Sequence, residues 1–258
     1  MPLKKNSQIA EEPITFTVSK IEDLMYGVSF DPSTYAGKIV TNISMIDGEH
    51  IDDVLSIFRD VMSSGLTVSP LVKLLSPGEK VGSFTIPPNM QGIATVCSIT
   101  VDGVLLKHGI PIKPIFGGLV EIRDGVPLRF TDLVRYDSAT LDPLEILMSQ
   151  SLTSVSDMLT SGSGKILANM REITMNAREK VEEVLDELVV AGFGGILEVG
   201  EPNSDILGVS VERDHFGVVV VGGTNAEAVA QEQGFKIEAH AMCTLMDIEE
   251  MTPITQLV

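Results

Sequence analysis

The chain repeats itself, and this internal duplication limits the folds that are open to it. Residues 37–42 (GKIVTN) match residues 164–169 (GKILAN) at an offset of 127 residues. Further matches follow in the same order at offsets between 125 and 127, among them Gly65 with Gly192, Gly92 with Gly217, and Gly109 with Gly234. An ordered series of matches at a nearly constant offset indicates two homologous structural units.

Both copies contain the same order of predicted elements. Apolar residues recur at helical spacing over 51–62 and over 177–188, and Gly65 and Gly192 are the expected helix ends. Strand, helix, strand, strand, helix and strand are predicted at 39–46, 51–62, 71–75, 93–96, 101–108 and 112–122, and again at 166–173, 177–188, 195–199, 218–221, 226–233 and 236–246. This βαββαβ order is ferredoxin-like. The predicted fold class is α+β, internally duplicated, with two tandem ferredoxin-like halves related by a pseudo-twofold axis.

The repeats suggest a division of the chain into five segments that form one domain. They are an N-terminal connector (1–36), the first half (37–123), a second connector (124–163), the second half (164–249) and a C-terminal tail (250–258). In the second connector, Asp142 before Pro143 predicts the start of a short helix, with the aspartate as its cap. A cavity is expected where the two halves meet, because ligand pockets favour such interfaces.

Charge and hydropathy exclude several classes of protein. The 258 residues carry 36 acidic and 18 basic side chains, a formal net charge of -18, so direct binding to nucleic acid is not expected. The longest apolar runs, such as residues 218–221, are too short to span a bilayer, and the first twelve residues lack the apolar core of a signal peptide. Two cysteines give no disulfide framework, so we expect a soluble protein of the reducing cytoplasm.

The candidate motifs for catalysis, nucleotide binding and metal binding lack the neighbouring residues or elements that these functions require. Residues 161–165 (SGSGK) lack the first glycine and the final Ser or Thr of a phosphate loop, and residues 192–195 (GFGG) follow a helix and not a strand. His240 and Cys243 have ligand-like spacing, but no second close pair accompanies them. We therefore expect no metal, no cofactor and no catalytic residue.

The most informative chemistry lies where a strand leads into the second helix of each copy. Backbone N–H groups at a helix start are unpaired and favour an anion. The predicted binding residues at these two junctions are Cys97, Ser98, Thr100, Gly222, Gly223 and Thr224, and the candidate counter-charges are Arg171, Arg213, Lys107 and Lys165. A dicarboxylate could bridge the two junctions, although ordinary helix capping is the alternative interpretation for either one alone.

Several long motifs resemble the NrpR nitrogen-regulation repressors of archaea. They are residues 91–106, 116–122, 141–146, 171–173 and 194–203, and the likeness spans roughly residues 27–251. The resemblance implies an effector domain that senses 2-oxoglutarate and acts through a winged-helix DNA-binding subunit or domain. Glu201 and Asn203, which lie in the last motif, complete the predicted ligand-binding set.

The sequence departs from the family in two places, and other functions stay open. No helix-turn-helix pattern precedes Lys38, and residues 222–226 (GGTNA) replace the family's usual GGLNP. The chain is thus expected to be a partner subunit or one domain of a homo- or hetero-oligomer. One alternative is an enzyme of small carboxylates with Glu201 or His215 as general base, and another is a purely structural subunit.

Overall fold

A computed structural model describes residues 14–82 and 84–257. Residues 1–13 of the predicted N-terminal connector, together with residues 83 and 258, lie outside the described residues. The helices are α1 (Thr17–Gly27), α2 (Ile51–Ser63), α3 (Ile99–Lys107), α4 (Pro143–Ser149), α5 (Val155–Ser161), α6 (Arg178–Val190) and α7 (Asn225–Glu232). The strands are β1 (Lys38–Asp47), β2 (Leu71–Leu75), β3 (Lys80–Val81), β4 (Phe84–Thr85), β5 (Met90–Val96), β6 (Ile112–Arg123), β7 (Val126–Arg135), β8 (Gly164–Thr174), β9 (Ile196–Val199), β10 (His215–Val221), β11 (Ile237–Asp247) and β12 (Thr252–Pro253).

Two five-stranded antiparallel sheets confirm the duplicated α+β fold class. The first sheet has the order β11-β1-β5-β2-β12, and the second has the order β7-β6-β8-β10-β9. The hairpin β3-β4 stands apart from both sheets. The predicted helix ends are also confirmed, since Gly65 and Gly192 have φ angles of 77° and 84°, a left-handed conformation that suits glycine.

The two repeats exchange their last strand. β11 belongs to the second repeat but pairs with β1 of the first, and β6 of the first repeat pairs with β8 of the second. Each sheet therefore has the ferredoxin-like strand order, with one strand supplied by the other repeat. The sequence pattern does not reveal this exchange.

The second helix of each repeat is exchanged together with its strand. α7 packs beside α2, and α3 packs beside α6. On the first sheet, Ser44 of β1 donates a hydrogen bond to Glu227 of α7, and on the second sheet Arg171 of β8 forms an ion pair with Asp102 of α3. These contacts tie each exchanged helix to the sheet of the other repeat, so neither repeat has a complete core of its own.

Apolar packing follows the predicted periodicity. α2 buries Val54 and Phe58 in the same core as Ile93 of β5, and α6 buries Val181 in the same core as Phe216 of β10. Burial of large side chains of this kind stabilises the fold by about 1.5–3 kcal/mol each.

The second connector contains more secondary structure than the one short helix predicted for it. It contains β7, which forms a hairpin with β6 through a turn at Asp124 and Gly125, both with positive φ. An Asp-Gly pair between alternating residues is a sequence signal for such a hairpin. The predicted short helix is present as α4, and Asp142 caps it by accepting hydrogen bonds from the N–H groups of Leu144 (2.8 Å) and Glu145 (3.1 Å).

Candidate functional site

A narrow crevice lies where the two repeats meet, at the ends of β5 and β10 and the starts of α3 and α7. Its lining consists of Asn42, Cys97, Ser98, Ile99, Tyr136, Asp142, Leu144, Asn169, Gly223, Thr224, Ala241 and Met242. The cavity has a volume of about 20 Å³, which is room for one water molecule. A wider cavity of about 260 Å³, named the mouth of the crevice, shares Asp142, Ala241 and Met242 with it.

The crevice follows the internal symmetry of the chain. Asn42 of β1 and Asn169 of β8 occupy equivalent positions in the two repeats, as do Ser98 and Gly223 at the two helix starts. The predicted residues Cys97, Ser98, Gly223 and Thr224 all line this crevice. Gly222 lies directly beside it, where an added methyl group would come within 2.9 Å of Leu144 and of Leu167. The structure thus brings the two predicted junctions together.

Hydrogen bonding makes the two sides of the crevice unequal. On one side, Tyr136 donates to Asn169 Oδ1, and Asn169 Nδ2 donates to Ser98 Oγ at 3.1 Å. On the other side, Asn42 Oδ1 accepts from the N–H of Met242 at 3.0 Å. Asn42 Nδ2 and the Thr224 hydroxyl are buried and have no hydrogen-bond partner among the described residues.

Such unpaired groups are uncommon in folded proteins, because each costs about 1–3 kcal/mol of lost solvation. Both donors lie beside helix starts, where N–H groups without intrahelical acceptors favour negative charge. In the described part of the chain, this side of the crevice therefore presents two unpaired hydrogen-bond donors to any oxygen-rich group beside them.

Thr100 has a structural role and does not line the crevice. Its hydroxyl accepts from the N–H of Val40 at 3.0 Å and donates to the carbonyl of the same residue at 3.2 Å. In the other repeat, Asn225 Oδ1 accepts from the N–H of Leu167 at 2.9 Å, and Asn225 Nδ2 donates to the carbonyl of Leu167 at 3.0 Å. These side chains join each exchanged helix to the first strand of its own repeat.

Arg171 lies behind the crevice and its charge is already paired. Its side chain is 1% exposed, its Nε lies 2.5 Å from Asp102 Oδ1, and its Nη1 donates to the carbonyl of Asn169 at 3.2 Å. Burial lowers the pKa of Arg171, but the neighbouring carboxylate more than offsets this effect, so the guanidinium keeps its charge. Arg171 therefore supports Asn169 and does not face the cavity.

Glu201, Asn203 and Arg213 are not brought to the crevice. They lie in the exposed connection between β9 and β10, where Glu201 pairs with Arg178 at 3.1 Å. Asn203 Oδ1 accepts from the N–H of Asp214 at 2.7 Å, and the side chain of Arg213 is 92% exposed. The two other candidate cations are also on the surface, since Lys107 lines a separate shallow pocket and Lys165 lies 3.7 Å from Asp132.

Four residues of the crevice were not predicted as binding residues from the sequence, namely Asn42, Asn169, Tyr136 and Asp142. The two asparagines are the same polar residue at equivalent positions of the two repeats, in GKIVTN and GKILAN, and this identity is a signal in the sequence. Tyr136 and Asp142 come from the second connector, and nothing local marks them as neighbours of the repeats. Burial raises the pKa of Cys97 to about 12, so its thiol packs as an uncharged group and not as a nucleophile.

Another cavity lies on a different part of the surface. A larger groove of about 810 Å³ lies between α2, α5 and α7, but it contains none of the predicted residues and is broadly open. In the described part of the chain, no group of three or more His, Cys, Asp or Glu side chains is placed to hold a metal ion. No helix among residues 14–82 and 84–257 is long and apolar enough to cross a membrane.

Comparisons with known proteins agree with the duplicated fold. A family model described as NrpR regulatory domains NRD1 and 2 matches residues 14–253. The global nitrogen regulator NrpRI of Methanosarcina mazei is 36% identical over 249 residues, which are 96% of this chain and 76% of that protein. A crystal structure of a nitrogen repressor-like protein from Methanococcus jannaschii superposes with a TM-score of 0.80 and 29% identity, covering 94% of this chain and 100% of that one.

Longer relatives show the same likeness over part of their length. The global nitrogen regulator NrpR of Methanococcus maripaludis is 30% identical over 239 residues, and that of Methanocaldococcus jannaschii is 31% identical over 245 residues. Each match covers 93% of this chain but only 40% and 41% of the respective relatives. All three relatives are named as regulators, in agreement with the expectation that the chain is not an enzyme.

Proposed function

Since the chain belongs to the family of NrpR regulatory domains and therefore has a regulatory role in nitrogen control, we propose that it binds 2-oxoglutarate in the crevice between its two repeats. The observation that carries this proposal is the pair of buried, unpaired donors, Asn42 Nδ2 and the Thr224 hydroxyl. A carboxylate placed between them would accept both hydrogen bonds. It would also lie at the positive ends of α3 and α7.

The ligand would have to open the crevice. A volume of about 20 Å³ holds a water molecule but not a dicarboxylate. Opening would require a shift of α4 or of the segment of β11 at Ala241 and Met242, where the pairing with β1 is irregular and Met242 has a φ of 49°. A ligand that binds only the open form shifts the protein towards that form. This shift is the signal that we propose a partner reads.

We also propose that the partner, and not this chain, contacts DNA. The net charge of -18 disfavours a phosphate-binding surface. A winged-helix subunit or domain would supply the basic surface, and the regulatory domain would change its affinity for the promoter through a coupling free energy between the two sites.

Calorimetric titration with 2-oxoglutarate tests the proposed site. We expect saturable heat for the wild type, and binding about 10–100-fold weaker for Asn42→Ala or Thr224→Val, because a hydrogen bond to a charged group contributes roughly 1.5–3 kcal/mol. Asn203→Ala is the matched control, since this predicted residue lies outside the crevice. Unchanged affinity in both crevice variants, or a loss in the control alone, would place the ligand elsewhere.

A further inference from the structure

Asp142 stands at the junction between the crevice and its mouth. One carboxylate oxygen, Oδ1, caps α4, while Oδ2 has no hydrogen-bond partner among the described residues. The residue lines both cavities, together with Ala241 and Met242. A ligand bound between Asn42 and Thr224 would therefore share the crevice with this carboxyl group.

The charges around Asp142 are unbalanced. Lys20 of α1 is the cation that faces it, and Glu145 of α4 is a second acid at the same mouth. Lys20 and Glu145 both bond the backbone of Ala241. The segments of β1, β11 and α7 that line the two cavities carry no charged side chain.

Tyr136 and Cys97, which line the crevice together with Asp142, are neutral. Burial raises the pKa of Tyr136 well above its ordinary value, and it also raises that of Cys97. Behind them, the charge of Arg171 is paired with Asp102. Among the described residues that line the two cavities, Lys20 is thus one cation against two acids, Asp142 and Glu145, before any anionic ligand is added.

We infer that Asp142 is a specificity-determining residue of the proposed effector site, and that an anion enters the crevice only when Asp142 carries a proton. The inference rests on the proposed function. Two negative groups in one narrow, water-poor crevice repel each other strongly. A protonated Asp142 would instead donate a hydrogen bond to a ligand oxygen through its unpaired Oδ2. Binding of the anion and binding of a proton are then coupled.

Asp142 holds a proton more readily than an ordinary aspartate does. Burial, with a smaller contribution from the charge of Glu145, raises the pKa of Asp142 to about 6, although the group keeps some contact with solvent. If only the protonated form binds, affinity for the anion falls about tenfold for each pH unit above this value. Near pH 7 the binding of one ligand would take up close to one proton.

Calorimetry with 2-oxoglutarate, in two buffers of different ionisation enthalpy at pH 6, 7 and 8, measures this uptake. The decisive variant is Asp142→Asn, because asparagine caps a helix about as well as aspartate does and cannot ionise. We expect the wild type to take up nearly one proton at pH 7 and to lose affinity towards pH 8. The variant should show no uptake from this group and a nearly constant affinity.

Glu145→Gln is the matched control, since it removes the other acid at the mouth. It should keep the proton uptake and most of the pH dependence. Equal uptake in the wild type and Asp142→Asn, or an equal loss in both variants, would overturn the inference while leaving 2-oxoglutarate binding intact. If the wild type gives no saturable heat at any of the three pH values, the proposed function itself is wrong, and the inference falls with it.

Discussion

Two buried acids at equivalent positions should respond in opposite ways to loss of their charge. Glu227 of α7 and Asp102 of α3 are both fully buried, 125 residues apart in the chain. Glu227 has only Ser44 opposite, which donates to Oε1 at 2.7 Å, and its Oε2 is unpaired among the described residues. Asp102 faces Arg171. We predict that Glu227→Gln stabilises the protein at high pH, whereas Asp102→Asn destabilises it.

The expected magnitude follows from the pKa of Glu227. Burial raises this pKa from an ordinary 4.5 to about 7, against the hydrogen bond from Ser44. Between these values the folded state holds a proton that the unfolded chain has lost. The stabilising contribution is therefore complete below pH 4.5 and is lost as the pH rises through about 7. Above that pH, the ionised Glu227 lowers the free energy of unfolding by roughly 3 kcal/mol, at 1.36 kcal/mol for each tenfold change in proton affinity.

Glutamine removes this cost, because it never ionises. Urea denaturation followed by circular dichroism should show Glu227→Gln up to roughly 3 kcal/mol more stable than the wild type at pH 8.5, and within about 1 kcal/mol of it at pH 5. Asp102→Asn should lose roughly 3–5 kcal/mol at pH 8.5, because Arg171 is left buried without its partner. A difference between Glu227→Gln and the wild type that does not vary with pH would refute the reasoning. So would equal destabilisation by the two variants.

Three further outcomes are expected. Asn225→Ala should destabilise the fold by roughly 1–3 kcal/mol in thermal denaturation, because the N–H of Leu167 is left buried and unpaired; an unchanged melting temperature would contradict this role. Gly223→Ala should lower both stability, by roughly 1–3 kcal/mol, and affinity for 2-oxoglutarate, since the added methyl would lie 2.6 Å from an amide nitrogen; intact binding would remove Gly223 from the site. Burial raises the pKa of Cys97 to about 12, so this thiol should resist alkylation at pH 8 while the more exposed Cys243 reacts. Mass spectrometry can check this, and equal labelling of the two thiols would contradict the burial of Cys97.

Local patterns were enough to predict the elements of the fold. Helical spacing of apolar residues, the glycines at 65 and 192, and the Asp142-Pro143 start of α4 are properties of neighbouring residues. The structure confirms each of them. The duplication also predicted the two helix starts that meet at the crevice. Glu201, Asn203 and Arg213 were predicted to bind the ligand because of their motif or their charge, and neither feature shows whether a residue lies near the crevice.

The sequence by itself determined which elements form and in what order, because helix and strand periodicity depends on residues a few positions apart. Only the tertiary structure decided that each repeat gives its last helix and strand to the other, since backbone hydrogen bonds are the same whichever copy supplies the strand. The choice rests on contacts between distant residues, such as Arg171 with Asp102 and Ser44 with Glu227. The same long-range packing brings Asp142, from a connector, to the mouth of the crevice.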